Sequence, residues 1–166
     1  EKYYEYDSNL FYEFHNLKIK INSFKDLQTF STTIKKIENN ITIFHAKAIK
    51  DISSDINLDL IGFHGQTLYH SPKEKISLQL GNGNLLSQMS KKKIVFNFRK
   101  NDIDNGGEGA PLTPIFHKYL LKSKKIKLPA CILNIGGISN LTLIHNYDSF
   151  EILSRDIGPG NCLINS

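Results

Sequence analysis

From Phe24 to Ile52 the apolar residues recur at steps of three and four: Phe24, Leu27, Phe30, Ile34, Ile37, Ile41, Phe44, Ala48 and Ile52. That spacing puts them on one stripe of a long helix, which must lie against a flat apolar partner. Ser23 and Asp26 have the spacing of a capping box at its start. From residue 59 the period changes. Short apolar runs at Leu58 to Phe63, Ile76 to Leu80, Ile94 to Phe98, Ile132 to Ile135, Leu141 to Ile144 and Phe150 to Leu153 read as strands. Helices are expected near Leu85 to Met89 and from Thr113-Pro114. There threonine suits a cap, proline the first turn, and Ile115, Phe116, Tyr119 and Leu120 the apolar face. Upstream, Lys18-Ile19-Lys20-Ile21 alternates like a strand. The expected class is α/β, a mixed β-sheet with flanking helices, with no repeat, linker or boundary dividing residues 1–166.

Composition removes several function classes. The formal charge of +5 invites a nucleic-acid reading, but only Arg99 and Arg155 among the 21 basic residues are arginine. Arginine is the side chain suited to bidentate reading of phosphates and guanine edges, so no nucleic-acid partner is expected. No run approaches the length of a membrane span, and EKYYEYDSNL lacks the apolar core of a signal peptide, so the chain reads as cytoplasmic. Cys131 and Cys162 make no disulfide framework, and Cys131 is expected in the core. The six histidines lack zinc-site spacing and no Gly-x-Ser-x-Gly occurs, which leaves neither a metal site nor a serine hydrolase.

Four polar, glycine-bearing segments follow predicted strands, where open α/β sheets place ligands. In Asn134-Ile135-Gly136-Gly137-Ile138-Ser139-Asn140, glycines would let backbone N–H groups approach an anionic oxygen. A plain hairpin with a Gly-Gly turn explains the same residues. Asp156 precedes Gly158-Pro159-Gly160-Asn161, a stiff turn leading toward a helix near Asn161. A carboxylate there can orient a water and accept its proton, or simply cap a turn. The segment from Arg99 through Leu112 carries Asp102 and three glycines in four residues, a loop able to wrap a ligand. Arg99 suits a carboxylate or phosphate; an internal Arg99–Asp102 ion pair is the other reading. His64 ends an apolar run, where a hydrogen-bonded structural role is commoner than that of a base, and Gln66 and Thr67 offer neutral groups suited to sugar hydroxyls.

In order and at these spacings, the segments resemble the anhydro-N-acetylmuramic acid kinase family. The matching text is Ile61 to Thr67, Gln79-Leu80-Gly81, Phe98-Arg99 with Asp102 and Gly106 to Leu112, Leu133 to Asn140, and Asp156 to Asn161. That family recycles bacterial peptidoglycan and lies in the sugar kinase, heat-shock ATPase and actin superfamily, with an actin-like, ribonuclease H-like ATPase fold. The resemblance implies ATP and Mg²⁺ as cofactors and 1,6-anhydro-N-acetylmuramic acid as substrate. Water attacks the anomeric carbon, the anhydro bridge opens, and O6 takes the phosphoryl group, giving N-acetylmuramic acid 6-phosphate. Asp156 matches the catalytic base; Asn134, Gly136, Gly137 and Asn140 match a phosphate loop; Gln66, Thr67, Arg99, Asp102 and Gly107 match the sugar side. No protein partner is implied beyond a homodimer of the full-length enzyme.

The departures carry expectations too. Residues 1 to 22 contain no glycine, so the family's first phosphate loop has no counterpart, and the second lobe is absent. The chain is therefore expected to be a single incomplete N-terminal lobe, inactive alone. Asn97, Asn101 and Asn165 replace acidic or arginine positions usual in the family, which speaks against tight binding of the lactyl carboxylate. A non-catalytic sugar- or partner-binding domain, and a related superfamily kinase for another sugar, are the alternative functions.

Overall fold

The 25-residue helix Ser31–Asp55 organises the first part of the computed structural model, which describes residues 2–148 and 152–161. The chain divides into two compact units, Glu1–Gly109 and Ala110–Ser166. In the first unit, α1 is Ser8–Lys18, α2 Phe24–Thr29 and α3 Ser31–Asp55. The expected single helix from Phe24 is thus broken at Phe30 (φ −96°, ψ 16°). The Ser31-Thr32-Thr33 run that follows has poor helix propensity, and Phe30 packs against the core instead of extending the stripe. The cap at Ser23 is present: its Oγ accepts from the Asp26 N–H at 3.3 Å, and Asp26 accepts from the Asn22 N–H at 3.0 Å. The Asn22 N–H, and after it the Ser23 hydroxyl donating to Asp26 Oδ2 at 2.9 Å, hold the Asp26 carboxyl below its ordinary pKa.

The strand expected around Lys18 to Ile21 is not formed. Asp7 caps α1 by accepting from the Leu10 N–H at 2.9 Å, and Leu10 and Leu17, seven apart, are both buried. A four-residue alternation lost to this heptad-spaced pair.

Two clusters form along α3. Ile37 and Ile41 pack with Leu10, Leu17, Ile21, Leu68 and Leu80, joining α1 to an antiparallel hairpin of β2 (Gln66–Ser71) and β3 (Ile76–Leu80). Further along, Ala46 and Ile49 pack with Phe63 and Leu86. That joins α3 to α4 (Gly83–Ser90) and to the parallel pair of β1 (Leu60–Gly62) and β4 (Lys93–Val95). Asn82 caps α4 by accepting from the Leu85 N–H. β2 was not expected, and Phe98, read as a strand end, opens a helix, α5 (Phe98–Asp104).

In the second unit, α6 (Thr113–Ser123) is followed by an antiparallel sheet in the order β5 (Ala130–Ile135), β6 (Ile138–Ile144), β7 (Ile152–Pro159). Leu112 rather than Thr113 occupies the cap position, without a side-chain bond. The face expected to be buried is outside: Ile115, Phe116 and Tyr119 are each more than 60% exposed, and Pro114 and Leu121 turn inward. His117 Nδ1 meets Thr142 Oγ1 at 2.9 Å, so α6 lies on the sheet face that carries Thr142. Cys131, expected in the core, is exposed, because it pairs with Leu143 on the opposite face. Phe150, Cys162, Asn165 and the helix expected beyond Asn161 lie outside the described residues. The expected single mixed sheet is three small sheets, parallel and antiparallel pairing being kept apart. Among the described residues no helix is long and apolar enough to cross a membrane.

His45 links the two clusters of α3. Its Nδ1 donates to the Ile41 carbonyl at 2.8 Å and its ring lies 4.9 Å from that of Phe63. Burial lowers its pKa below the ordinary 6.5. The unfolded chain therefore takes up this proton more readily than the folded one, so the stability His45 contributes is full above pH 6.5 and lost as pH falls below it. The urea midpoint should be lower at about pH 5 than at about pH 7.5, and His45→Gln should narrow the gap.

Candidate active site

In the second unit the strand register aligns three of the candidate residues. Asn134 on β5 stands opposite Asn140 on β6, and Asn140 opposite Asp156 on β7. Directly paired residues share a sheet face, so the three form one row, spanning about 10 Å at the ordinary strand separation. Asn134 and Asp156 are exposed and Asn140 is half-buried. Among the described residues no hydrogen bond engages the Asp156 carboxylate. The register shifts immediately after Asp156, where Ile157 is the extra residue of a bulge. Bulges end regular pairing and re-aim side chains.

The β5–β6 turn is held from the far side by the segment that follows Asp156. Gly160 N–H donates to the Gly137 carbonyl at 2.9 Å, and Asn161 N–H to the Gly136 carbonyl at 2.7 Å. Ser139 Oγ donates to the Pro159 carbonyl at 3.2 Å. Gly160 is required by this approach, since a Cβ there would collide with the Gly136 carbonyl oxygen. In a trans peptide the C=O and N–H point in opposite directions. With both carbonyls held by residues 160 and 161, the N–H groups of Gly137 and Ile138 point away from that segment. Beside Gly137, the position of a Cβ has nothing within 4 Å. The turn thus offers two fixed donors next to open space, which fits an anionic oxygen. Ile138 was not foreseen, because a main-chain donor leaves no mark in side-chain identity.

In the first unit the sugar-side candidates fall on two elements. Gln66 and Thr67 begin β2, with Gln66 Nε2 donating to Tyr6 Oη at 3.1 Å. Gln79, opposite Thr67, donates to Ser77 Oγ at 2.8 Å and to Thr67 Oγ1 at 3.4 Å, and His70 meets Ser77 Oγ at 3.0 Å. Thr67, His70, Ser77 and Gln79 therefore make a polar ladder along one hairpin face. Only the alternation of Ser77 and Gln79 in an apolar run signals it in the sequence.

Arg99 lies in the first turn of α5 rather than on a loop. It and Asp102 do not pair; they grip the same residue from two sides. Arg99 Nη1 donates to the Gly109 carbonyl at 2.7 Å, and Asp102 Oδ2 accepts from the Gly109 N–H at 2.7 Å. Gly107 is needed here, since a Cβ would meet the Asp102 carboxylate, and its N–H donates to the Asp102 carbonyl at 2.8 Å. Arg99 Nε also donates to His64 Nε2 at 3.0 Å. Partial burial pulls the Arg99 pKa down, and among the described residues no carboxylate comes within ion-pair distance of it. Asn97, before α5, has φ 60°, a left-handed conformation that asparagine tolerates well.

A model of the family described as anhydro-N-acetylmuramic acid kinase matches residues 8–166. The chain is 53% identical to the anhydro-N-acetylmuramic acid kinase of Pelagibacter ubique (strain HTCC1062) over 166 residues, 99% of this chain and 44% of that protein. It is 40% identical to the enzyme of that name from Methylobacterium nodulans over 136 residues, 79% of this chain and 36% of that protein. A third, from Brucella canis, is 38% identical over 138 residues, with the same shares of each chain. The chain belongs to the anhydro-N-acetylmuramic acid kinase family, and it spans less than half the length of these curated relatives.

Gly160→Ala should drive residues 160 and 161 off the β5–β6 turn. Hydrogen exchange should then speed up at both amides while the Gly109 amide, held by Asp102, keeps its protection. Unchanged protection at 160 and 161 would show that the turn does not depend on this contact.

Proposed function

We propose that this chain is part of a kinase that opens 1,6-anhydro-N-acetylmuramic acid with water and phosphorylates its O6, within an actin-like ATPase architecture. The observation that carries the reading is the row Asn134, Asn140, Asp156 below a turn whose donors are fixed by Gly160 and Asn161.

In this reading Asp156 holds a water through its carboxylate and accepts the proton as the water oxygen bonds to the anomeric carbon. The bond from that carbon to O6 breaks, and O6 leaves the reaction carrying the phosphoryl group. ATP, when bound, would supply that group, its terminal P–O bond breaking as ADP departs. Gly136 shapes the turn, the N–H groups of Gly137 and Ile138 bind its phosphate oxygens, and the Asn134 and Asn140 amides orient what lies between the turn and Asp156. Work of this kind is positioning and charge stabilisation. Gln66 and Thr67 bind sugar hydroxyls, and Arg99, with two N–H groups engaged and the others free, takes the lactyl carboxylate. Asp102 and Gly107 serve the sugar side by holding the Gly109 backbone against Arg99.

Among the described residues no cluster of three or more His, Cys, Asp or Glu could hold a metal. A magnesium ion bound together with the nucleotide would neutralise charge building on the transferred phosphoryl group. Cell-wall recycling in the cytoplasm follows from the substrate and belongs to the same proposal.

The test is turnover of a full-length kinase carrying this sequence, followed by release of the 6-phosphate. Asp156→Asn should lower kcat by at least about 10²-fold, the usual contribution of a positioned base, with sugar binding retained. Undiminished turnover would remove Asp156 from the role.

A further inference from the structure

His64 makes two hydrogen bonds that together decide its tautomer. Its Nδ1 lies 2.9 Å from the Gly65 carbonyl, an acceptor, so Nδ1 carries the proton. Its Nε2 lies 3.0 Å from Arg99 Nε, which only donates, so Nε2 is the acceptor. A third bond, from Arg99 Nη1 to the Gly109 carbonyl, grips the same guanidinium from another side. A planar fork held at Nε and at one Nη has no rotation left. Its remaining N–H groups keep one fixed direction.

The surroundings leave that direction for a ligand. No carboxylate among the described residues neutralises Arg99, although the side chain is half-buried. His70, on the polar ladder of β2 and β3, has its pKa lowered by burial and then by the Arg99 charge, with Glu108 opposing. Arg99 is therefore a cation whose engaged N–H groups meet neutral acceptors, with no carboxylate among the described residues at ion-pair distance and a bidentate edge left over.

We infer that His64 is a positioning residue for anion recognition: it aims the Arg99 fork at the carboxylate of an acidic sugar and does not touch the sugar itself. This rests on the proposed function. A neutral imidazole suits the task because its Nε2 lone pair accepts from Arg99 Nε while Nδ1–H anchors the ring to the backbone. Glutamine can reproduce both bonds through an amide oxygen and an amide nitrogen. Alanine reproduces neither and frees the guanidinium to rotate.

The experiment uses a full-length kinase carrying this sequence and two substrates, 1,6-anhydro-N-acetylmuramic acid and the same anhydro amino sugar lacking the lactyl ether. His64→Ala should raise KM about tenfold for the acidic sugar, the effect of one misaligned charge-assisted contact. KM for ATP and for the sugar without the carboxylate should stay unchanged. His64→Gln should restore most of the loss. Should His64→Ala lose its cooperative melt, His64→Phe replaces it and should show the same selective rise, the ring being kept and both hydrogen bonds removed. Equal changes for both sugars, no change for either, or no rescue by His64→Gln would overturn the role of His64 while leaving the kinase reading intact. Failure of the unsubstituted enzyme to turn over either sugar would instead overturn both.

Discussion

Strand register across β5, β6 and β7 is the constraint on which the arrangement of the second unit's candidate residues rests. Side chains alternate between faces with every residue, so a slip of one position would send Asp156 to the side of Cys131 and Leu143 and part it from Asn134 and Asn140. The register is secured where it matters most. Beyond the bulge at Ile157 the chain turns back on the hairpin, and the carbonyls of Gly136 and Gly137 accept from Gly160 and Asn161. The two motifs thus form one hydrogen-bonded piece, and the geometry between the β5–β6 turn and the Asp156 carboxylate becomes a property of the backbone.

The first unit reaches a similar end by different means. α3 buries Ile37 and Ile41 against the β2–β3 hairpin, and Ala46 and Ile49 against α4 and the parallel pair. It thereby holds the strand ends that bear Gln66 and His64. On that frame, Gly109 is bound through both its N–H and its carbonyl, and the side chains that bind it, Asp102 and Arg99, come from one short helix. Free rotation of a long arginine side chain is an entropy that any ordering must lose, and the contacts of Arg99 with His64 and Gly109 remove it within the fold.

Much of this was legible from residue order. The stripe through Ile34, Ile37, Ile41 and Phe44 marks the buried side of α3, and Ser23 with Asp26 marks a true helix start. Each of the six apolar runs overlaps a strand among the described residues, and the glycine motifs identify the family. The misreadings share a cause. Lys18 to Ile21 alternates over too few residues to outweigh the Leu10 and Leu17 pairing of α1. Phe98 looks like a strand residue until Asn97 turns left-handed and opens α5. Ile115, Phe116 and Tyr119 have helical spacing, but spacing says nothing of which side a sheet will cover.

By itself the sequence determined the α/β class, the positions of the glycine-rich turns and the residues able to do acid–base and anion chemistry, because these depend on local periodicity and on what each side chain is. Only tertiary structure decided that Arg99 and Asp102 share Gly109 instead of pairing, that His64 accepts from Arg99, and that Gly137 and Ile138 present their N–H groups outward. Those outcomes depend on which hydrogen-bonding groups distant in sequence are brought within 3 Å or so of one another, and side-chain identity carries no record of that distance.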